Sequence, residues 1–242
     1  MQYLRSLLFT IQAYFAMAVL GLVFAPYAAL SPIGARRACQ TYCIWVKWTM
    51  RWLVGIRYEV RGTPPQGEVL IAAKHQSFLD IMLIFHALPA PKFIMKRELL
   101  WTPIIGLYAK RLGCVPVSRG KRGAAIQKMV RDVEAGRAQP GQLVIYPQGT
   151  RVAPGVKVPY KVGTAILYEE LGQPCVPVAA NAGLFWPRKG VMRHPGTAVV
   201  EFLPEIPTGL DRATFMARVE DIVEHRSDAL MAEAGFEADA VH

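Results

Sequence analysis

The stretch Lys74-His75-Gln76-Ser77-Phe78-Leu79-Asp80 holds an imidazole and a carboxylate five positions apart. A carboxylate bonded to one ring nitrogen fixes the tautomer and leaves the other nitrogen free to take a proton. In that setting His75 is a candidate general base and Asp80 the group that orients it. The same residues also spell a helix start. Ser77-Phe78-Leu79-Asp80 fits the pattern in which a serine caps the helix and the acid three positions on bonds back to backbone N–H groups. The two readings are compatible, because capping places Asp80 where it can face His75. On the second reading alone, His75 is an ordinary loop residue.

The flanking sequence says what must hold these residues. Val69-Leu70-Ile71-Ala72-Ala73 reads as a buried strand and Ile81-Met82-Leu83-Ile84-Phe85 as the body of a helix. Three further polar patches follow apolar runs: Gly113 to Arg119, Tyr146-Pro147-Gln148-Gly149-Thr150-Arg151, and Cys175 to Gly183. Open α/β sheets build their sites just beyond strand ends. Arg119 and Arg151, delivered this way, can hold a phosphate with bidentate hydrogen bonds. Gly149 lets backbone approach a ligand closely. Singly, each arginine reads as a surface ion pair; beside a His-Asp turn, the set reads as a site.

The rest of the chain supplies the scaffold. Strands are predicted over Arg57–Val60, Val69–Ala73, Lys92–Met95, Cys114–Val117, Leu143–Tyr146, Cys175–Ala179 and Thr197–Phe202. Helices are predicted over Phe78–Ala87, Pro103–Leu112, Gly123–Ala135, Val162–Leu171 and Arg212–Ala234. Such alternation means an α/β fold, a mixed sheet covered by helices. The last helix carries Phe215, Val219, Ile222, Val223 and Leu230 on one stripe and reads as a docking helix with a solvated acidic face.

Ahead of this domain, Leu7 to Phe24 is almost unbroken apolar, long enough to cross or nearly cross a bilayer. A cleaved signal peptide is the competing reading, against which the length of the apolar core counts. Pro26 and Ser31-Pro32-Ile33-Gly34 are expected to break the helix. A second helix follows over Ala35–Val54, with Trp45, Trp48 and Trp52 on one face and Lys47 and Arg51 on another, as suits a headgroup boundary. Residues 1–55 are thus expected to form a membrane-associated helical hairpin that anchors the α/β domain of residues 56–242.

Composition agrees. The 242 residues are 52% hydrophobic with a formal net charge of +10, a pI near 9.6 and a mean hydropathy of +0.23. An apolar N-terminus and a basic body favour an anionic membrane lipid surface as partner. Nucleic acid is disfavoured, because no recognition-helix, RNP-like or zinc-spacing pattern is present. The four cysteines, Cys39, Cys43, Cys114 and Cys175, form no C-x-x-C and have no histidine cluster beside them, so neither a metal site nor a disulfide is expected.

Taken in order, His-x4-Asp, Gly-x5-Arg, aromatic-Pro-x-Gly-Thr-Arg and Val-Pro-Val resemble the blocks of the glycerolipid acyltransferase family, and within it the bacterial 1-acyl-sn-glycerol-3-phosphate acyltransferases. The likeness covers Val69 to Gly183. It implies direct transfer of a fatty acyl group from an acyl-coenzyme A or acyl-carrier-protein thioester to the sn-2 hydroxyl of lysophosphatidic acid. Phosphatidic acid is formed without a cofactor, a metal or an acyl-enzyme. The absence of a G-x-S-x-G elbow and of a placed cysteine nucleophile is consistent with that. The resemblance makes His75 the base and Asp80 its partner. It gives Lys96, Arg119, Gln148, Gly149, Thr150 and Arg151 to the acceptor and its phosphate, and Val176, Pro177 and Val178 to acyl or acceptor space. It implies a bacterial inner membrane location with the site facing the cytoplasm. One departure stands out: Gln148 occupies a position where the family usually carries glutamate. Rival readings are transfer to another lysolipid, such as lyso-ornithine lipid, and a membrane lipid-binding module without turnover. Backbone N–H groups at the helix start are expected to stabilise the developing oxyanion.

Overall fold

The computed structural model describes residues 1–118, 130–131 and 140–236. Arg119 and nearly all of the helix expected over Gly123–Ala135 lie outside those residues.

Among the described residues, seven strands form one sheet: β1 (Ile56–Arg61), β2 (Leu70–Ala73), β3 (Lys92–Lys96), β4 (Val115–Val117), β5 (Leu143–Ile145), β6 (Cys175–Ala180) and β7 (Gly196–Phe202). Their spatial order is β1-β7-β6-β2-β5-β3-β4. The strands from β6 to β4 run parallel, whereas β7 pairs antiparallel with β6 and parallel with β1. The sheet is therefore mixed, as the sequence predicts. The central strands β2, β5 and β6 are buried along their whole length, which is why they read as continuous apolar runs rather than as alternating ones.

Side chains alternate across each strand. From β2, Ile71 and Ala73 enter one core layer with Leu79 and Leu83 of α4 (Phe78–Ala87). Leu70 and Ala72 enter the opposite layer. There they meet α6 (Gly163–Leu171) and Phe215, Val219 and Val223 of the long C-terminal helix α7 (Arg212–Glu233). A short helix, α5 (Pro103–Arg111), follows a 3-10 turn over Arg97–Trp101.

The N-terminal segment is three helices, not the two expected. They are α1 (Gln2–Val23), α2 (Ala25–Leu30) and α3 (Pro32–Leu53). Pro26 does break the first helix: α1 stops at Val23, and Pro26 sits in the first turn of the short helix α2, where a missing N–H costs nothing. Ser31 is the second boundary, extended and capping α3 through its hydroxyl. Gly34 lies inside α3, against the backbone of Tyr27: a Cβ there would come within 2.5 Å of the Tyr27 carbonyl oxygen.

These helices share the apolar layer of α4 through Phe9, Ala13, Ala35, Val46 and Met50. Their outer faces are different. Leu4, Leu8, Ile11, Phe15, Val19 and Leu22 form an exposed stripe along α1, and Trp45, Trp48 and Trp52 are exposed on α3. Lys47 of α3 turns inward instead; its side chain is buried and its ammonium lies 4.4 Å from the Tyr58 ring centre.

Candidate active site

The turn after β2 carries both predicted groups, and it is at once a helix cap and a His–Asp pair. Ser77 is the N-cap of α4, its hydroxyl accepting from Leu79 N–H at 3.0 Å. Asp80, fully buried, accepts from the backbone N–H of Gln76 at 2.8 Å and of Ser77 at 2.7 Å through Oδ2. Its other oxygen, Oδ1, faces Nδ1 of His75 at 2.9 Å. One carboxylate thus closes the capping box and fixes the imidazole. Among the described residues, Nε2 of His75 carries no hydrogen bond, and the side chain keeps 13% exposure. The backbone N–H groups of Gln76, Ser77 and Leu79 are occupied by this cap.

The turn is held from every side. The backbone carbonyl of His75 accepts from Val152 N–H at 2.8 Å, and Lys74 N–H donates to Val178 carbonyl at 2.8 Å. Gln76 is buried; its amide oxygen accepts from Gly183 N–H at 3.1 Å. Gly183 has to be glycine, since a Cβ would lie 2.7 Å from that of Gln76. The Ser77 hydroxyl donates to the carbonyl of Trp186 at 2.7 Å. Tyr146, at the end of β5, stacks on the His75 ring with 3.9 Å between centroids. Burial and the neighbouring Asp80 carboxylate push the Tyr146 phenol well above its ordinary value.

The third block follows β5 directly. Gly149 has φ +67°, the left-handed region, and its N–H closes a tight turn onto Tyr146 carbonyl at 2.8 Å. A Cβ at this position would sit 2.5 Å from the ammonium of Lys161. Lys161 is therefore laid over the glycine turn, with its backbone N–H donating to Pro147 carbonyl at 2.9 Å. Thr150 and Arg151 are partly exposed. Arg188 donates to the Arg151 carbonyl at 2.8 Å, which fixes the backbone there. Lys96 is exposed at the end of β3, at the same sheet edge as the turns after β2 and β5.

Two predicted groups sit elsewhere. Gln148 is buried, and its amide nitrogen reaches Glu224 of α7 at 3.4 Å, not His75. Val176, Pro177 and Val178 lie inside β6, entirely within the fold. Val176 and Val178 face the α4 layer, so they are packed beneath the His-Asp turn and buried. Among the described residues no group of His, Cys, Asp and Glu has a metal-binding arrangement. Sequence reasoning missed Gln76, Lys161 and Glu224. Gln76 had a local signal, a polar residue in an otherwise buried turn; Lys161 and Glu224 are joined to the site only by the fold.

Comparison with known proteins places this geometry. The acyltransferase family profile matches residues 56–181. The 1-acyl-sn-glycerol-3-phosphate acyltransferase of Pseudomonas aeruginosa is 30% identical over 207 residues, covering 84% of this chain and 80% of that one. The human 1-acyl-sn-glycerol-3-phosphate acyltransferase alpha is 32% identical over 164 residues, covering 66% of this chain and 58% of the relative. The chain thus spans under two thirds of the human relative's length. The crystal structure of the 1-acyl-sn-glycerophosphate (LPA) acyltransferase PlsC from Thermotoga maritima superposes with a TM-score of 0.76 at 20% identity, covering 96% of this chain and all of that one. The shared fold, the length of the sequence match and the capped His-Asp turn lead to one conclusion: the chain belongs to the acyltransferase family.

Proposed function

We propose that the chain is a 1-acyl-sn-glycerol-3-phosphate O-acyltransferase, which moves a fatty acyl group from a coenzyme A or carrier-protein thioester to the sn-2 hydroxyl of lysophosphatidic acid. The observation that carries this reading is the His75–Asp80 pair at the end of β2, set beside the glycine turn with Lys161 and Arg151.

In this mechanism Nε2 of His75 takes the proton of the acceptor hydroxyl as its oxygen attacks the thioester carbonyl. The new C–O bond forms, the C–S bond breaks, and the proton passes from His75 to the leaving thiolate. Asp80 holds the tautomer and balances the charge of the imidazolium. A base placed this way contributes about 10²–10⁴ in rate. Lys161, Arg151 and Lys96 receive the acceptor's phosphate, joined by Arg119 from the second block. Gly149 and Thr150 shape that site, and Val176, Pro177 and Val178 support it from below. Gln148, buried against Glu224, contributes through the scaffold, so its difference from the family's glutamate gives no reason to choose another acceptor.

The substrate is a one-chain amphiphile, and the apolar stripe of α1 with the three tryptophans of α3 suits the membrane that holds it. Gln2 and Ser6 of α1 are hydrogen-bonded to the carbonyl of Arg193, and Tyr108 of α5 to Gly21 at the far end. A helix tied along its length to the domain lies in one leaflet, with the site facing the cytoplasmic side of a bacterial inner membrane. The net charge of +10 favours anionic lipid and an acidic acyl donor.

The test is free-thiol release from acyl-coenzyme A by detergent-purified protein, with and without lysophosphatidic acid, beside His75→Ala. Release that needs both acceptor and His75 supports the reading. Release without acceptor, or undiminished in His75→Ala, rejects it.

A further inference from the structure

Glu224 of α7 gathers three side chains from three separate segments. Both its oxygens meet the Lys74 ammonium, at 2.7 and 2.6 Å. The Tyr160 hydroxyl donates to Oε1 at 2.8 Å, and the Gln148 amide approaches the same atom at 3.4 Å. The cluster is well removed from water: the Lys74 side chain is 2% exposed and that of Glu224 14%. Each clamped residue is the immediate chain neighbour of a site residue. Lys74 precedes His75, Gln148 precedes Gly149, and Tyr160 precedes Lys161. Three turns that carry the base, the glycine approach and a phosphate cation therefore converge on one carboxylate.

The charge of the cluster explains Gln148. Lys74 and Glu224 together are neutral. A glutamate at 148 would place a second carboxylate within reach of Glu224 with only one ammonium to share, and like charges at that distance cannot both stay ionised cheaply. Glutamine supplies an N–H donor in its place. Its own carbonyl oxygen is buried with no donor among the described residues, so the residue serves the cluster through its amide nitrogen alone.

We propose that Glu224 is a positioning residue for acyl transfer, and that Gln148 and Glu224 form an exchangeable pair in which either position, but not both, carries the charge. The positioning role rests on the function proposed above; the exchangeable pair does not. A misplacement of about 1 Å among reacting groups costs about a hundredfold in rate, so loosening this clamp acts on kcat without any contact to substrate.

The experiment compares Glu224→Gln, Gln148→Glu and the double exchange in the full-length detergent-purified protein. The readouts are kcat with lysophosphatidic acid and acyl-coenzyme A, and the melting temperature. Each single change is expected to lower kcat about tenfold or more and to lower the melting temperature by about 5 °C or more. The double exchange is expected to recover kcat to within about threefold of the parent and most of the lost melting temperature. A double variant that shows the combined losses of the singles overturns the exchangeable pair. Singles that melt lower yet keep the parent kcat, well below their melting temperatures, overturn the positioning role. If the singles fail to fold, a folded double supports the pair and a double that fails as well overturns it. A parent protein without acyl transfer refutes the proposed function, and with it the positioning role; the melting temperatures of the four proteins then still decide the pair.

Discussion

Tyr146 lies flat against His75, its ring centroid 3.9 Å from the imidazole and the planes 19° apart. The His75 ring is therefore fixed in two independent ways, by the Asp80 carboxylate at Nδ1 and by Tyr146 on its face. The Tyr146 hydroxyl is buried and makes no hydrogen bond of normal geometry among the described residues, so the residue acts here through its ring. Tyr146→Phe is expected to keep kcat within about twofold, whereas Tyr146→Ala, which removes the stack, is expected to lose about tenfold. Steady-state thiol release from acyl-coenzyme A checks both.

His75 and Asp80 are expected to separate in stability although they act together in rate. His75→Ala should lower kcat by about 10²–10⁴ and lower the melting temperature less than Asp80→Ala does, since it leaves the backbone cap intact. Asp80→Ala should lower kcat similarly and also destabilise the fold by about 1–2 kcal/mol, because Gln76 and Ser77 lose the acceptor of their backbone N–H groups. Equal melting temperatures for the two variants would mean that Asp80 does not hold the turn.

Lys161→Ala and Arg151→Ala are expected to raise the KM for lysophosphatidic acid about tenfold or more while changing the KM for acyl-coenzyme A little. Initial rates with each substrate varied in turn check this. Equal effects on both substrates would remove these residues from the phosphate.

His86, near the end of α4, has its pKa lowered from 6.5, first by burial and then by the neighbouring Lys47 ammonium. A histidine with a depressed folded-state pKa binds fewer protons folded than unfolded, so stability falls as pH drops below about 6.5 towards the folded value. Melting temperature measured from pH 7.5 to 5.5 should fall more for the parent than for His86→Phe. Parallel curves would clear His86 of the effect.

The legible parts of the fold were those encoded locally. Most strands among the described residues could be read because they are short apolar runs bounded by turn residues, while β1 alternates apolar with charged residues; the His-Asp turn could be read because its two groups lie only five positions apart across a strand-to-helix turn. The break at Pro26 is legible, but the short helix α2 beyond it is not, because a proline that ends one helix is equally at ease in the first turn of the next. The last helix was correctly oriented by its apolar stripe, Phe215, Val219 and Val223 being fully buried. Its acidic face was read as solvated, and one member, Glu224, turns inward to Lys74 across 150 positions of sequence. No local pattern marks such a residue. Lys161 is hidden for a similar reason: it reaches Gly149 because the loop over residues 150–160 folds back, and nothing in Tyr160-Lys161-Val162 announces it.

Phe9 of α1 packs edge-on against Trp186 at 5.2 Å, and the carbonyl of the same tryptophan receives the Ser77 hydroxyl. The apolar first helix and the His-Asp turn are thus neighbours of one residue, Trp186, and the first helix is a wall of the enzyme rather than a detachable tether. Trimming residues 1–23 to obtain a water-soluble catalyst would strip Trp186 of its cover and leave Ser77 bonded to a loosened loop. Purification has to keep that helix and shield its outer stripe with a detergent belt, and any preparation that sheds it should be judged by activity and not by solubility.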